Sequence, residues 1–120
     1  NVEELRRAVA AMDASMDDMA AYIKADDAFH LTLAVATQNV FVPRLMASVV
    51  DVLQDHRSRI FRTEGGPQRG QSHHKRILRA IEEGAPEAAR EAMRGHLTQV
   101  RKDSMQMQGD ADGGPAGADA

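Results

Sequence analysis

Apolar residues recur every three or four positions through nearly the whole of this 120-residue chain, and no stretch alternates convincingly in twos. That period belongs to helices that each bury one face, so the pattern predicts an all-α fold, an antiparallel bundle of about five to six helices. Composition agrees. Aromatic residues come to three Phe, one Tyr and no Trp, so Leu, Ile, Val, Met and Ala must build the core. A β-sandwich, which leans on aromatic and β-branched pairs, is disfavoured. The length suits one domain and is too short for two.

The breaks in the pattern divide the chain. Residues 1–20 are rich in good helix formers, with a break expected near Asp13 to Ser15. A second segment runs from about Ala20 to Thr37 and ends at Gln38-Asn39, where Asn39 is placed to stop one helix or cap the next. A third runs from about Val40 to Phe61, with Pro43 tolerable only in its first turn. Glu64-Gly65-Gly66-Pro67 reads as a break, and a fourth segment follows over about Gln71 to Glu83. Gly84 stops that one and Pro86 opens the fifth, which is expected to fade before Gly109. Residues 109–120 hold four Gly, one Pro and three Asp and no large apolar side chain, so they are expected to be a disordered tail. The folded body is then residues 1–108. The whole chain carries 15 basic and 18 acidic residues; removing the tail's three Asp leaves the body with 15 of each, formally neutral.

Several classes drop out. Without cysteine there is no disulfide scaffold, thiolate metal site or cysteine nucleophile. A net charge of -3 does not suit a general nucleic-acid binder. No apolar run approaches the roughly 20 residues of a membrane span. No signal peptide is visible, and the start at Asn1 reads as a piece of a longer, cytoplasmic protein.

Five histidines are present. His30 shares a helical stripe with Ile23, Asp26, Leu33 and Thr37, and Asp26 lies one turn before it. His74 shares one with Ile77, Leu78 and Ile81, and His96 with Ala89, Ala92, Met93 and Val100. A lone histidine on an apolar face is ordinarily a core residue satisfied by one hydrogen bond. Three imidazoles and a carboxylate turned into one bundle would be costly unless something satisfied them all. A divalent metal does that directly, and neutral imidazole with carboxylate suits Zn, Ni, Mn or Fe. Spacing alone does not show that the three stripes converge. His73 sits about 100° off its stripe and is expected outside, and His56 reads as a boundary residue. Arg57, Arg59 and Arg62 form a basic run that is ordinarily a solvated face, although an inward arginine would offer a fork to a carboxylate. Met12, Met16 and Met19 read as packing residues.

These residues also carry a resemblance. Asp26-Asp27-Ala28-Phe29-His30, with Asn39 beyond it, resembles the D-x-x-F-H…N signature of the FCD domain. That is the C-terminal effector-binding domain of the FadR subfamily of GntR transcriptional regulators. His74 to Ile81 resembles the family's H-x-x-I-x-x-A-I; Gly84 follows, and Met93-Arg94-Gly95-His96-Leu97 resembles its M-x-x-H-L. The likeness covers roughly residues 1 to 105. It implies that Asp26, His30, His74 and His96 hold a metal in the bundle cavity, and that the metal holds a small carboxylate effector. It places Arg57 or Arg59, and Asn39, as effector-binding candidates. It also implies a homodimer that reaches DNA only through an N-terminal winged helix-turn-helix not contained in this sequence.

The expectation is therefore a sensor rather than an enzyme. Two rival classes share the same residues. A metal-dependent enzyme would use the open metal positions, but no obvious general base sits beside the ligands, and Asp27 projects about 100° from Asp26. A metal-free helical dimerisation module would simply hydrogen-bond its histidines.

Overall fold

A computed structural model describes residues 1–36 and 54–119, with side chains described over 1–36 and 57–105. The described residues form five helices and no strand. In order they are α1 (Val2–Asp13), α2 (Met19–Ala36), α3 (Gln54–Arg62), α4 (Gly66–Glu82) and α5 (Pro86–Asp119). The all-α bundle expected from the apolar period is what forms. Asn39 and the first two thirds of the expected third helix lie outside the described residues, as does the His56 side chain. The side chains of 109–120, where a disordered tail was expected, also fall outside them. Among the described residues no helix is long and apolar enough to cross a membrane.

Local chemistry sets the boundaries. Asn1 stands at the N-cap of α1, with Glu3 and Glu4 in the first turn where the helix dipole favours them. Leu5, Ala8, Val9 and Met12 then form one buried stripe. Asp18 accepts a hydrogen bond from the Ala21 N–H at 3.2 Å and so caps α2. Between α4 and α5, Gly84 takes φ +65°. The Ala85 N–H reaches the Ala80 carbonyl at 2.9 Å and the Gly84 N–H reaches that of Ile81 at 3.0 Å, a Schellman closure that ends α4.

Two boundaries differ from expectation: α5, expected to fade before Gly109, runs on to Asp119, and α4 starts early. α4 begins at Gly66, five residues before Gln71. Pro67 stands in its first turn, where a missing N–H costs nothing, and Gly65 supplies a left-handed N-cap at φ +73°. The Gly-Gly-Pro run is thus a helix start. A Cβ on Gly66 would fall 2.1 Å from the Ile60 carbonyl oxygen, a backbone atom that cannot swing away. The Gly66→Ala protein is expected to lose at least the 1–3 kcal/mol typical of overpacking, about 3 kcal/mol in a urea titration. Gly70→Ala is the control: its Cβ would meet the Tyr22 hydroxyl at an ordinary 3.5 Å, and equal losses in the two proteins would refute the close-approach argument.

α4 is the central element, packed against α1, α3 and α5. Its pairs with α1 run from Arg6–Glu82 to Asp13–Lys75, and those with α5 from Arg69–Asp103 to His73–Gly95. Both pairings are antiparallel. Phe29, Leu5, Met12 and Ile77 are almost wholly enclosed, and Met16 packs at the edge of this core. His74 lies among them at 2% exposure. The core side chains run up to the histidines, so α2, α4 and α5 each deliver one imidazole to the same interior point.

Candidate metal centre

The three stripes converge. Nitrogen atoms of His30, His74 and His96 all lie within 4.8 Å of one another. Asp26 Oδ1 is 3.1 Å from His30 Nε2 and 3.1 Å from His74 Nε2, and the Nε2 atoms of His30 and His96 are 3.4 Å apart. Around one ion with N and O ligands at about 2.0–2.2 Å, neighbouring ligand atoms sit about 3.0–3.4 Å apart. The Asp26–His30, Asp26–His74 and His30–His96 separations fit that requirement, while the histidine nitrogens as a set lie within 4.8 Å.

Hydrogen bonding fits it too. Asp26 Oδ1 and His74 Nε2 are buried and, despite their 3.1 Å separation, lack the alignment of a hydrogen bond with each other or with anything else. Two buried polar atoms this close together and left unsatisfied are expensive. A cation between them removes that cost.

Two glutamines set the imidazoles. Gln71 Oε1 lies 3.0 Å from His74 Nδ1, and Gln99 Oε1 lies 3.1 Å from His96 Nδ1. Each is three residues from its histidine, so one helix turn brings the pair together. Sequence reasoning passed over both. The i−3 and i+3 spacings are visible in the sequence, but glutamine on a helix is too common to stand out.

On the other side, Arg57 Nη2 donates to Asp26 Oδ2 at 2.6 Å while Nη1 donates to Asp27 Oδ1. The guanidinium holds the Asp26 carboxylate with Oδ1 turned to the imidazoles. Arg57 is thus the inward residue of the basic run, and Arg59 is exposed on α3. Asp27, expected to point elsewhere, is brought to the cavity by the same fork. His73 is more enclosed than expected: its ring lies 5.9 Å from that of His96 and packs on Gly95.

The cavity beside these groups measures about 450 Å³. Ile60, Phe61, Met93, Leu97 and Val100 give it apolar walls, Tyr22 stands at one side, and Asp26, Arg57 and the three histidines supply the polar groups. This is the make-up of a small-molecule site.

Burial and charge tune the donors. Burial would raise Asp26, but His30 and His74 beside it outweigh that and hold the carboxyl well below its ordinary range. Burial lowers His74 against the pull of Asp26. Burial, then the neighbouring His74 and His30, pushes His96 down to about 3. Despite burial, Asp26 and Asp27 raise Arg57. The result is an ionised carboxylate with neutral imidazoles at His74 and His96, the protonation state a metal needs.

The lowered His96 has a consequence for the metal-free chain. An unfolded histidine takes up a proton near pH 6.5, whereas folded His96 refuses it until about pH 3. Below about pH 6.5 the unfolded state binds more protons, so stability falls with falling pH, approaching about 1.4 kcal/mol per pH unit from this group. Urea midpoints at pH 7.5, 6 and 5 should fall in that order. His96→Asn should flatten the trend, and an unaltered slope would show that other groups carry it.

A carboxylate and three imidazoles line one cavity of this all-helical domain, the make-up of a ligand-binding helical domain. Residues 1–99 match the FCD domain, and the chain is a member of that family. It is also similar to the HTH-type transcriptional regulator LutR of Bacillus subtilis (strain 168), at 38% identity over 82 residues. The match takes in 64% of this chain and 37% of the relative, so the chain spans little more than a third of that protein's length. No solved structure matches.

Proposed function

We propose that this chain is the effector-sensing and dimerisation domain of a cytoplasmic bacterial transcriptional regulator of the GntR superfamily, FadR subfamily. Asp26, His30, His74 and His96 would hold one divalent transition metal, and a small organic acid would bind against it. The observation that carries this reading is the pair of buried, unsatisfied atoms, Asp26 Oδ1 and His74 Nε2, 3.1 Å apart beside a cavity. Charge supports it. A +2 ion with ionised Asp26 and neutral imidazoles leaves about +1 in a low-dielectric pocket, which attracts an anion. Arg57 and Asp27 at the cavity wall offset each other, so the +1 stands, and the apolar walls sort acids by shape. Arg59, exposed, has no such part in this reading.

The similarity to an HTH-type regulator supports a DNA-reading partner domain outside this sequence. In a dimer, effector binding would bias how two such domains are spaced, and half-site geometry makes DNA affinity sensitive to that spacing. The energy comes from the difference in effector affinity between the two arrangements.

Elemental analysis with native mass spectrometry should find one metal per chain, in a dimer, after equilibration with zinc, nickel or manganese. Calorimetric titration with small carboxylic and hydroxycarboxylic acids should give binding to the loaded protein and none after chelation, with the acids recovered unchanged. Equal binding before and after chelation would sink the metal-held effector. Conversion of an acid would favour an enzyme.

A further inference from the structure

We infer that Gln71 and Gln99 are positioning residues that fix His74 and His96 in the Nδ1–H tautomer, so that both Nε2 lone pairs face the cavity before any ion arrives. The inference rests on, and deepens, the metal reading above.

The key observation is how each amide is held. Gln71 Nε2 donates to the Val9 carbonyl at 2.9 Å and to Asp13 Oδ1 at 3.1 Å. Both are acceptors, so the NH₂ group must face them and the Oε1 atom must face His74. An oxygen 3.0 Å from Nδ1 accepts, and Nδ1 therefore carries the proton. Reversing the amide would set its oxygen against two acceptors in a place where Gln71 is only 2% exposed, with no room for water to intervene. Gln99 repeats the logic. Its Nε2 donates to Asp103 Oδ2 at 2.7 Å, and its Oε1 faces His96 Nδ1 at 3.1 Å. Arg69 in turn holds Asp103, with Nη2 3.0 Å from Oδ1.

The alternative tautomer at His74 would place a proton on Nε2, 3.1 Å from the Asp26 carboxylate. That attraction competes with the bond from Nδ1 to Gln71, which the alternative tautomer would lose. Two chains of hydrogen bonds thus run outward from the cluster. One crosses from α4 to α1 and the other runs along α5 and back to α4. Ligand orientation of this kind by outer partners commonly changes metal affinity by about 10- to 100-fold.

Long-range ¹⁵N–¹H correlation NMR of the metal-free chain at pH 7.5 reads the tautomers directly. His74 and His96 should both show protonated Nδ1 and bare Nε2. Gln99→Leu should lose that preference at His96 alone. Gln99→Glu, which keeps the acceptor, should retain it. Zinc affinity should follow, about 10- to 100-fold weaker in Gln99→Leu and closer to the parent in Gln99→Glu. Protonated Nε2 at either histidine in the parent, or an unchanged His96 tautomer in Gln99→Leu, would overturn the inference. Because the NMR readout needs no ion, a parent that shows the stated tautomers yet binds no zinc would refute the metal reading while leaving the tautomer assignment intact. Gln71→Leu is a second variant with the same readout at His74, and loss of folding there leaves the Gln99 pair to decide.

Discussion

The His74→Ala protein is expected to purify with almost no bound metal and to hold zinc more than about 100-fold more weakly than the parent. Even the outer partners of a metal ligand commonly matter by about 10- to 100-fold, and His74 is placed as a direct ligand. It is also the ligand with the least freedom. At 2% exposure, and fixed by Gln71, its ring has no alternative position from which to reach Asp26 Oδ1. Truncating an enclosed side chain also opens a cavity, so part of any loss could come from weakened folding. His73→Ala separates the two effects. His73 lies one residue away and packs on Gly95 and the His96 ring, outside the converging set. It should lose some stability and keep its metal. Parallel loss in both proteins, measured by elemental analysis, would refute the ligand assignment.

A second large effect is expected at Arg57, and its size depends on the metal. In the metal-free chain its guanidinium is the cation that meets Asp26 and Asp27. Arg57 and Asp26 are only 18% and 16% exposed at the side chain, so Arg57→Ala strands a carboxylate in a poorly solvated place. Breaking one side of a buried pair costs about 3–5 kcal/mol. Asp27 is 35% exposed and recovers some hydration, so the lower end, about 3 kcal/mol, is expected. With zinc bound, the ion also meets the charge of Asp26, and the loss should shrink by half or more. Urea unfolding of parent and Arg57→Ala, each with and without zinc, measures the difference. Equal losses would mean that Asp26 does not face the ion. In the loaded protein the same substitution should weaken binding of a small carboxylic acid at least 10-fold, with Arg57→Lys intermediate because it keeps charge and loses the fork.

The parts of this site that were legible in the sequence are those that helical period controls. Asp26 and His30 are one turn apart, and His74 and His96 each sit in an apolar stripe. Those stripes bury around one core, and the level at which the three imidazoles meet comes from the tertiary packing. What the period does not encode is the rotation of a helix without a clear apolar stripe. Arg57 and Arg59 lie two residues apart, about 200° around α3, and which one turns inward depends on how α3 meets α2, α4 and α5. Asp27 illustrates the same gap: its own helix turns it away from Asp26, and a guanidinium from another helix spans the two. At Pro67 the local signal had two meanings. Proline after two glycines marks a break and a first helical turn equally well, and packing of Gly66 against Ile60 decides for the latter. Gln71 and Gln99 were hidden for a different reason. Their importance lies in the acceptors on their far side, and those come from tertiary structure.

Tyr22 carries a practical consequence. It is the chain's one tyrosine, tryptophan is absent, and the residue stands in the cavity wall with its hydroxyl on the Pro67 carbonyl and its ring 5.2 Å from that of Phe61. Its ultraviolet emission is therefore a single-position optical reporter inside the site. A quenching ion such as copper or nickel entering beside Asp26, or an acid displacing solvent from the cavity, would register in that signal without any added label.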